Sequence, residues 1–180
     1  MKALIIIDML EGYAQQCYNR DEVVANQLAL IGAFRDRRLP IIIVSADLSA
    51  PPNPVMVRLW GVEFADEPEK ARLIGELENV EGATYFSKTE YSAFFRTPLE
   101  SFCEEHGIDE LFFSGYASGV CVFFSAVDAA MRRILPVLVS DASTTNERSW
   151  HEKTCERFEE VLGPVLDTQQ ILVNLDNPKG

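Results

Sequence analysis

The sequence predicts an α/β protein with three layers, in which helices cover both faces of a six-stranded, mainly parallel sheet. Short, continuous apolar runs such as residues 3–7 have the composition of parallel strands that are buried on both faces. These runs alternate with helix-like segments along the chain, which is the pattern of a parallel sheet with crossover helices. The 180 residues are enough for one domain with a substantial core, so we expect residues 1–180 to form a single domain.

Six segments have the apolar composition of strands. The first two are rich in isoleucine, leucine and valine, and the fifth contains Pro136, which marks its beginning or an irregularity. The predicted strands cover residues 3–7, 40–46, 83–87, 110–114, 134–140 and 170–175.

Helices are predicted from capping signals and from helical spacing of apolar residues. Thr97 followed by Pro98 suits the start of one helix, and Ser149 with Glu152 resembles a capping box at the start of another. A third helix would begin at Cys121 and bury one apolar stripe. That stripe consists of Val120, Phe123, Phe124, Val127, Ala130 and Met131. The predicted helices cover residues 21–37, 97–106, 121–132 and 149–162.

Polar or reactive residues follow four of the predicted strands. They are Asp8, Asp47, Lys88 and the turn that leads to Cys121. Because ligands of parallel sheets bind beyond the carboxyl ends of the strands, we expect these residues to share one site. The irregular segment 55–82 is of the kind that lines such sites.

Cys121 follows a strand, a run of small residues and the predicted start of a helix. Helix N-termini carry exposed N–H groups and partial positive charge, which lower the pKa of a nearby thiol and favour the reactive thiolate. The sequence therefore suggests a nucleophile. The alternative is a buried structural cysteine, which is the commoner role for a lone cysteine.

A cysteine nucleophile needs a group that accepts its proton. The two histidines, His106 and His151, fall on predicted helices away from the strand ends, so we interpret them as surface or structural residues. Asp8 is then the candidate acceptor, and Lys88 is the candidate for stabilising negative charge. Taken singly, Asp8 is better explained as a helix or loop cap and Lys88 as a solvated lysine.

Four segments resemble the isochorismatase-like cysteine hydrolases, a superfamily that includes nicotinamidases and N-carbamoylsarcosine amidase. They are ALIIIDML…Y at 3–13, SKTEYSAF at 87–94, GYASGVCV at 115–122 and VSDAS at 139–143. They cover nearly the whole chain in the order of the family, and Lys-x-x-x-Ser-x-Phe and the turn before Cys121 are the most specific parts. The resemblance implies a Rossmann-like fold with strand order 3-2-1-4-5-6.

The resemblance also implies a catalytic triad of Asp8, Lys88 and Cys121. Cys121 would attack a carbonyl carbon, Asp8 would carry the proton from thiol to leaving amine, and Lys88 would hold the charges. The backbone N–H groups of Ala117 and Cys121 would form the oxyanion hole, next to a cis peptide bond between Tyr116 and Ala117. No cofactor is implied.

Two departures from the family pattern bear on the substrate. Nicotinamidases follow the aspartate at the position of Asp47 with histidines that bind a metal, and this chain has none there. Zinc favours several nitrogen or sulfur ligands, so we predict a metal-independent enzyme. Leu10 replaces a glutamine that is frequent in the family, which makes the expected pocket less polar. The other candidate substrate-binding residues are aromatic: Tyr13, Trp60, Tyr91, Phe94 and Tyr116. Trp60 and Phe94 are equally well explained as core residues.

Several functions remain open from the sequence. The leading one is cleavage of a C–N bond in a small amide or carbamoyl compound through a thioester on Cys121. The alternatives are a vinyl ether hydrolase of the isochorismatase type, which does not depend on the cysteine, and a nicotinamidase with an atypical metal site. A non-enzymatic binding or assembly protein is least favoured, because Asp8, Lys88 and Cys121 are all present.

Composition narrows the partners and the compartment. The net charge of −12 comes from scattered acidic residues, which argues against nucleic-acid and anionic-membrane binding and leaves a small molecule as the expected partner. The four cysteines form no CxxC pair, and no apolar run approaches a membrane span or a secretory signal, so we expect a cytoplasmic protein. The resemblance implies a homo-oligomer, either a dimer or a tetramer.

Overall fold

The computed structural model describes residues 1–51, 53–61, 64 and 67–176. Its strands are β1 Lys2–Ile7, β2 Ile41–Ala46, β3 Ala83–Lys88, β4 Glu110–Tyr116, β5 Leu135–Thr144 and β6 Val165–Leu166. They form one parallel sheet in the order β3-β2-β1-β4-β5-β6. The predicted fold class and strand order are therefore confirmed.

Helices lie between the strands and pack on both faces of the sheet. They are α1 Glu11–Ala14, α2 Arg20–Asp36, α3 Pro54–Trp60, α4 Leu99–Glu105, α5 Phe123–Met131, α6 Arg148–Val161 and α7 Thr168–Asp176. A 3₁₀ turn covers Gly75–Leu77, and a π-helical turn covers Ser118–Val122 immediately before α5. None of the helices in the described part of the chain combines the length and the apolar character that a membrane span requires.

Alternate side chains of β1 enter two separate cores. Ile5 and Ile7 belong to the core beneath α5, and Leu4 and Ile6 belong to the core beneath α2. Because β1 is buried on both faces, it needs a continuous apolar run, and each such side chain contributes roughly 1.5–3 kcal/mol by its burial. This burial fixes the position of the residue that follows β1, which is Asp8.

The predicted last strand is wrong: residues 170–175 belong to helix α7, and the sixth strand is the short β6. The reason is a pair of capping hydrogen bonds between Asp167 and Gln170, which the apolar composition of residues 170–175 does not reveal. Asp167 Oδ1 accepts a hydrogen bond from the Gln170 N–H at 2.7 Å, and Gln170 Oε1 accepts one from the Asp167 N–H at 2.8 Å. This is the capping-box arrangement, and it starts a helix that buries Ile171.

The predicted buried stripe after Cys121 is also wrong, although the helix is present. The buried residues are Val122, Ser125, Ala126 and Ala129. Phe124 and Met131 are instead exposed, by 47% and 72%. The helix is apolar on several faces, so spacing alone did not identify the inner one; the small side chains lie against the sheet.

Helix α3 was not predicted, because its N-terminus follows a proline-rich segment. Asn53 caps it by accepting a hydrogen bond from the Val55 N–H at 2.8 Å, and Pro54 occupies the first helical position. Both are recognised helix-start signals. Residues 69–77, where the sequence also suggests a short helix, instead form turns and the 3₁₀ turn.

Candidate active site

Asp8 lies directly beyond the end of β1, at the centre of the sheet. Its backbone is left-handed, with φ of 52°, and its N–H donates to the Val44 carbonyl of the neighbouring strand at 2.8 Å. Aspartate adopts this conformation more readily than most residues with a side chain. The Asp8 side chain is only 1% exposed, so the turn places a buried carboxylate at the carboxyl end of this central strand.

Lys88, the last residue of β3, connects the parts of the site. Its Nζ lies 2.7 Å from Asp8 Oδ2, and it donates to the Glu90 carbonyl at 2.9 Å and to Cys121 Sγ at 3.4 Å. These contacts use all three donors of the ammonium group. The side chain is 1% exposed, so the ion pair with Asp8 is shielded from water. The three residues that the sequence predicted as a triad therefore lie together.

The turn that carries Cys121 depends on a close approach of two strands. Gly115 in β4 has φ of 118°, and a Cβ there would come within 2.0 Å of the Ile7 carbonyl oxygen. Only glycine fits this position. Shortly after Gly115, the peptide bond between Tyr116 and Ala117 is cis. The π-helical turn follows, and Cys121 is its fourth residue.

Ser125 ties the segment after Lys88 to the cysteine turn. Its hydroxyl donates to the Cys121 carbonyl at 2.6 Å and accepts a hydrogen bond from the Ala93 N–H at 2.8 Å. Ser92 binds the same helix through Asp128 Oδ2. The Lys-x-x-x-Ser-x-Phe motif therefore joins the segment after Lys88 to the helix that follows Cys121.

The environment of the thiol differs from the sequence-based expectation. Burial raises the pKa of Cys121 above its ordinary value, and the Asp8 carboxylate adds to the rise, while Lys88 opposes it. The expected lowering at a helix N-terminus does not dominate, because a second negative charge beside Asp8 in a buried site is unfavourable. Burial disfavours the charged form of Lys88, but the interactions with Asp8 and Cys121 outweigh this effect and raise the pKa of Lys88. The resting site therefore holds a neutral thiol beside an Asp8–Lys88 ion pair.

Replacing Asp8 with asparagine should lower the pKa of the Cys121 thiol, because it removes the carboxylate that opposes the thiolate and leaves Lys88. Burial raises the pKa of the other three cysteines to about 11, so the signal of Cys121 is taken as the difference between each protein and the same protein with Cys121→Ala. Ultraviolet thiolate absorbance against pH measures this, with the Asp8→Asn/Cys121→Ala protein as the blank. An unchanged or higher Cys121 pKa would contradict this view of the site.

Two adjoining cavities meet at Cys121. The inner one, about 100 Å³, is bordered by Asp8, Lys88 and Asp47, and the outer one, about 650 Å³, opens towards α6. The described residues that border the outer cavity are Tyr13, Gln16, Met56, Trp60, Phe64, Tyr91, Tyr116, Ala117, Gly119, Val120, Cys121, Thr145, Asn146, Trp150, Lys153 and Thr154. The inner space suits a small reacting group, and the outer space holds the remainder of a ligand.

Four of the aromatic residues predicted to bind substrate border the outer cavity: Tyr13, Trp60, Tyr91 and Tyr116. The rings of Tyr13 and Tyr116 are stacked at 5.0 Å, and Trp60 Nε1 donates to the Tyr91 hydroxyl at 2.8 Å. They form a flat apolar wall beside the thiol.

Leu10 and Phe94, the other two residues predicted to bind substrate, border neither of these two cavities. Leu10 is fully buried and pairs with Leu73 through an isolated bridge. Phe94 is 2% exposed, lies in the core beneath α5 and carries the Arg132 guanidinium 5.0 Å from its ring centre. Both residues therefore stabilise the fold around the site.

The sequence did not predict that α6 borders the site. Trp150, Lys153 and Thr154 stand at i, i+3 and i+4, so one face of this helix lines the outer cavity. An exposed tryptophan near the start of an otherwise polar helix was the available signal. Trp150 lies outside the four motif segments of the sequence, so no motif indicated that it borders the site.

The surroundings of Asp47 do not fit a zinc site. Its Oδ1 accepts hydrogen bonds from the Ser49 N–H at 3.0 Å and the Ser49 hydroxyl at 2.6 Å, and these bonds lower its pKa. No group of three potential ligands occurs among the described residues, and neither histidine borders either cavity. Zinc prefers nitrogen and sulfur ligands, so the residues here hold Asp47 in a turn rather than around a metal.

His151 supports the cysteine turn from behind. Its Nδ1 pairs with the Ser118 hydroxyl at 3.1 Å, and its Nε2 pairs with Cys155 Sγ at 3.4 Å. The side chain is buried, whereas His106 is exposed and stacks on Phe102. His151 is thus a structural residue, as its predicted place on a helix suggested.

Replacing His151 with glutamine should reduce the loss of stability at acidic pH. Burial lowers the pKa of His151 below its ordinary value of 6.5, so below that pH the unfolded chain binds the proton more readily than the folded protein. As the pH is lowered below 6.5, His151 should therefore decrease the free energy of unfolding by up to about 1.4 kcal/mol per pH unit. Urea unfolding across this range measures it, and His106→Gln is the control. Parallel pH profiles for wild type and His151→Gln would refute the assignment.

The protein is thus an α/β protein with a parallel sheet, and an aspartate, a lysine and a cysteine lie together at the carboxyl ends of its strands. The model of the Isochorismatase domain matches residues 2–170. The chain therefore belongs to the isochorismatase family, whose members are hydrolases, and the resemblance seen in its sequence motifs is confirmed.

Individual relatives agree with this membership. Enterobactin synthase component B of Escherichia coli K12 is 27% identical over 176 residues, covering 94% of this chain, which spans 62% of that protein. Ureidoacrylate amidohydrolase RutB of Pantoea ananatis is 29% identical over 170 residues, covering 78% of this chain and 68% of that protein. A cysteine hydrolase structure from Pseudomonas syringae pv. phaseolicola superposes with a TM-score of 0.86, covering 97% and 92% of the two chains. At 17% identity it shows the shared fold alone.

Proposed function

We propose that this protein is a cysteine hydrolase that cleaves the C–N bond of a small amide or carbamoyl compound without a metal. The observation that carries the proposal is the position of Lys88 Nζ, 2.7 Å from Asp8 Oδ2 and 3.4 Å from Cys121 Sγ. This arrangement supplies a nucleophile, a proton acceptor and a positive charge at one end of a cavity.

In the first step, Cys121 Sγ attacks the carbonyl carbon of the substrate. The thiol proton passes to Asp8, whose carboxylate receives no hydrogen bond from other described residues apart from its contacts with Lys88 and the thiol. A thiol with a raised pKa needs such an acceptor, because little thiolate forms before the substrate binds. Lys88 keeps its charge throughout and stabilises the negative charge as it moves from Asp8 to sulfur.

In the second half of the cycle, the protonated Asp8 gives its proton to the leaving nitrogen as the C–N bond breaks. Amine or ammonia departs and a thioester remains on Cys121. Water then attacks this thioester, Asp8 accepts a proton from the water, and the thiol is regenerated as the acid is released. Asp8 thus acts in turn as base and acid.

The oxygen of the tetrahedral intermediate needs hydrogen-bond donors. We place the backbone N–H groups of Ala117 and Cys121 in this role, because both residues border the outer cavity where the cysteine turn begins. One such donor typically contributes about 3–4 kcal/mol to stabilising the transition state. The glycine and the cis bond that precede them fix the course of the turn.

The test is ammonia release from a panel of small primary amides and carbamoyl compounds, with the Cys121→Ala protein as the blank. Before assay, the enzyme is dialysed against a chelator. We expect chelator-resistant ammonia release from at least one compound by the wild type only. Release by the Cys121→Ala protein, or conversion by both proteins of a vinyl ether alone, would overturn the proposal.

A further inference from the structure

The two cavities differ in charge. The inner one is bordered by the carboxylates of Asp8, Asp47 and Glu90 together with Lys88. Among the described residues that border the outer cavity, Lys153 alone carries a full charge at neutral pH. Among the described residues, the charge of the lining therefore changes from acidic at the inner end to basic at the outer end.

Lys153 is the charged residue at the outer end of the site. The protein has 28 acidic and 16 basic residues, yet Lys153 forms no ion pair with any residue that the structure describes. It lies one helical turn after Trp150, on the face of α6 that borders the outer cavity. Its ammonium group is thus available to a ligand, beside an aromatic side chain.

We propose that Lys153 selects substrates that carry a carboxylate at the end remote from the amide. This inference rests on the proposed amide hydrolysis. The acidic inner pocket repels a carboxylate, so the neutral amide enters first and the carboxylate remains near Lys153. The stacked rings of Tyr13 and Tyr116 and the indoles of Trp60 and Trp150 suit a flat, apolar body between the two ends.

The charge pattern also orients the substrate. A molecule with an amide at one end and a carboxylate at the other has one favourable direction of entry, which brings the amide carbon to Cys121. The Lys153 side chain is exposed, so its ion pair with a carboxylate should favour the anionic compound by roughly fivefold at most over its neutral analogue.

The test uses binding rather than turnover as its first readout. The only two tryptophans, Trp60 and Trp150, both border the outer cavity, so intrinsic fluorescence reports its occupancy. Terephthalamate and terephthalamide are titrated into the Cys121→Ala protein with and without Lys153→Met. We expect terephthalamate to bind more tightly than terephthalamide by up to about fivefold, Lys153→Met to remove the difference, and Lys153→Arg to keep it. Arg157→Met, on the same helix but away from the cavity, is the matched control.

The outcomes separate this inference from the proposed function. Equal binding of both compounds, no binding of either, or an equal loss for both in Lys153→Met overturns the role of Lys153. A Lys153-dependent preference supports that role even if the wild-type enzyme releases no ammonia from either compound, and only the proposed hydrolysis would then fail. Hydrolysis of both at equal kcat/KM would sustain the hydrolase and contradict the carboxylate site.

Discussion

Replacing Cys121 with alanine should lower kcat/KM for any amide substrate by about 10⁴-fold or more, because the proposed covalent intermediate forms on Cys121 Sγ, beside Lys88 and Asp8. Serine in its place should be nearly as inactive, since Asp8 would then have to deprotonate a much weaker acid. Ammonia release under saturating and limiting substrate measures both variants.

The matched control for this loss is Cys103→Ala. Cys103 is likewise a free cysteine, but it is buried in α4 and borders a different cavity from those at Cys121. Its replacement should change stability without a comparable loss of turnover. If Cys121→Ala retained a tenth or more of the wild-type rate, the thiol would not be the nucleophile.

Replacing Lys88 with methionine should lower the free energy of unfolding by about 3–5 kcal/mol, because it leaves the Asp8 carboxylate buried without its partner. The ion pair is almost fully shielded from water, and Lys88 also satisfies the Glu90 carbonyl. Urea unfolding monitored by tryptophan fluorescence gives the change, and turnover should be lost as well.

The double variant Asp8→Asn/Lys88→Met should recover much of this stability but none of the activity, because two neutral side chains no longer strand a buried charge. Arg157→Met is the control, since Arg157 pairs with Glu160 on the exposed surface and should change stability by less than about 1 kcal/mol. Equal destabilisation by the single and the double variant would mean that packing, and not the stranded charge, sets the cost.

The central part of the fold could be predicted from local composition. A strand buried on both faces must be apolar throughout, so β1 and β2 were visible as runs that stop at Asp8 and Asp47. Because the carboxyl ends of parallel strands lie at one edge of the sheet, the same reasoning predicts that Lys88 lies near Asp8.

Other features depend on interactions between distant residues. The apolar residues 170–175 suit a strand as well as a helix, and only the reciprocal cap of Asp167 and Gln170 decides between them. The raised pKa of Cys121 is also a collective property, because it comes from burial and from a carboxylate more than a hundred residues earlier in the chain. Lys153 joins the site through the packing of α6, which no short motif encodes.

The most direct test of the central claim is the mass of the protein during turnover, after rapid quenching in acid. A thioester on Cys121 predicts an added mass equal to the acyl group, located on the peptide that contains Cys121 and absent from the Cys121→Ala protein. Steady amide hydrolysis by a protein whose mass never changes, or an adduct on another cysteine, would contradict the account.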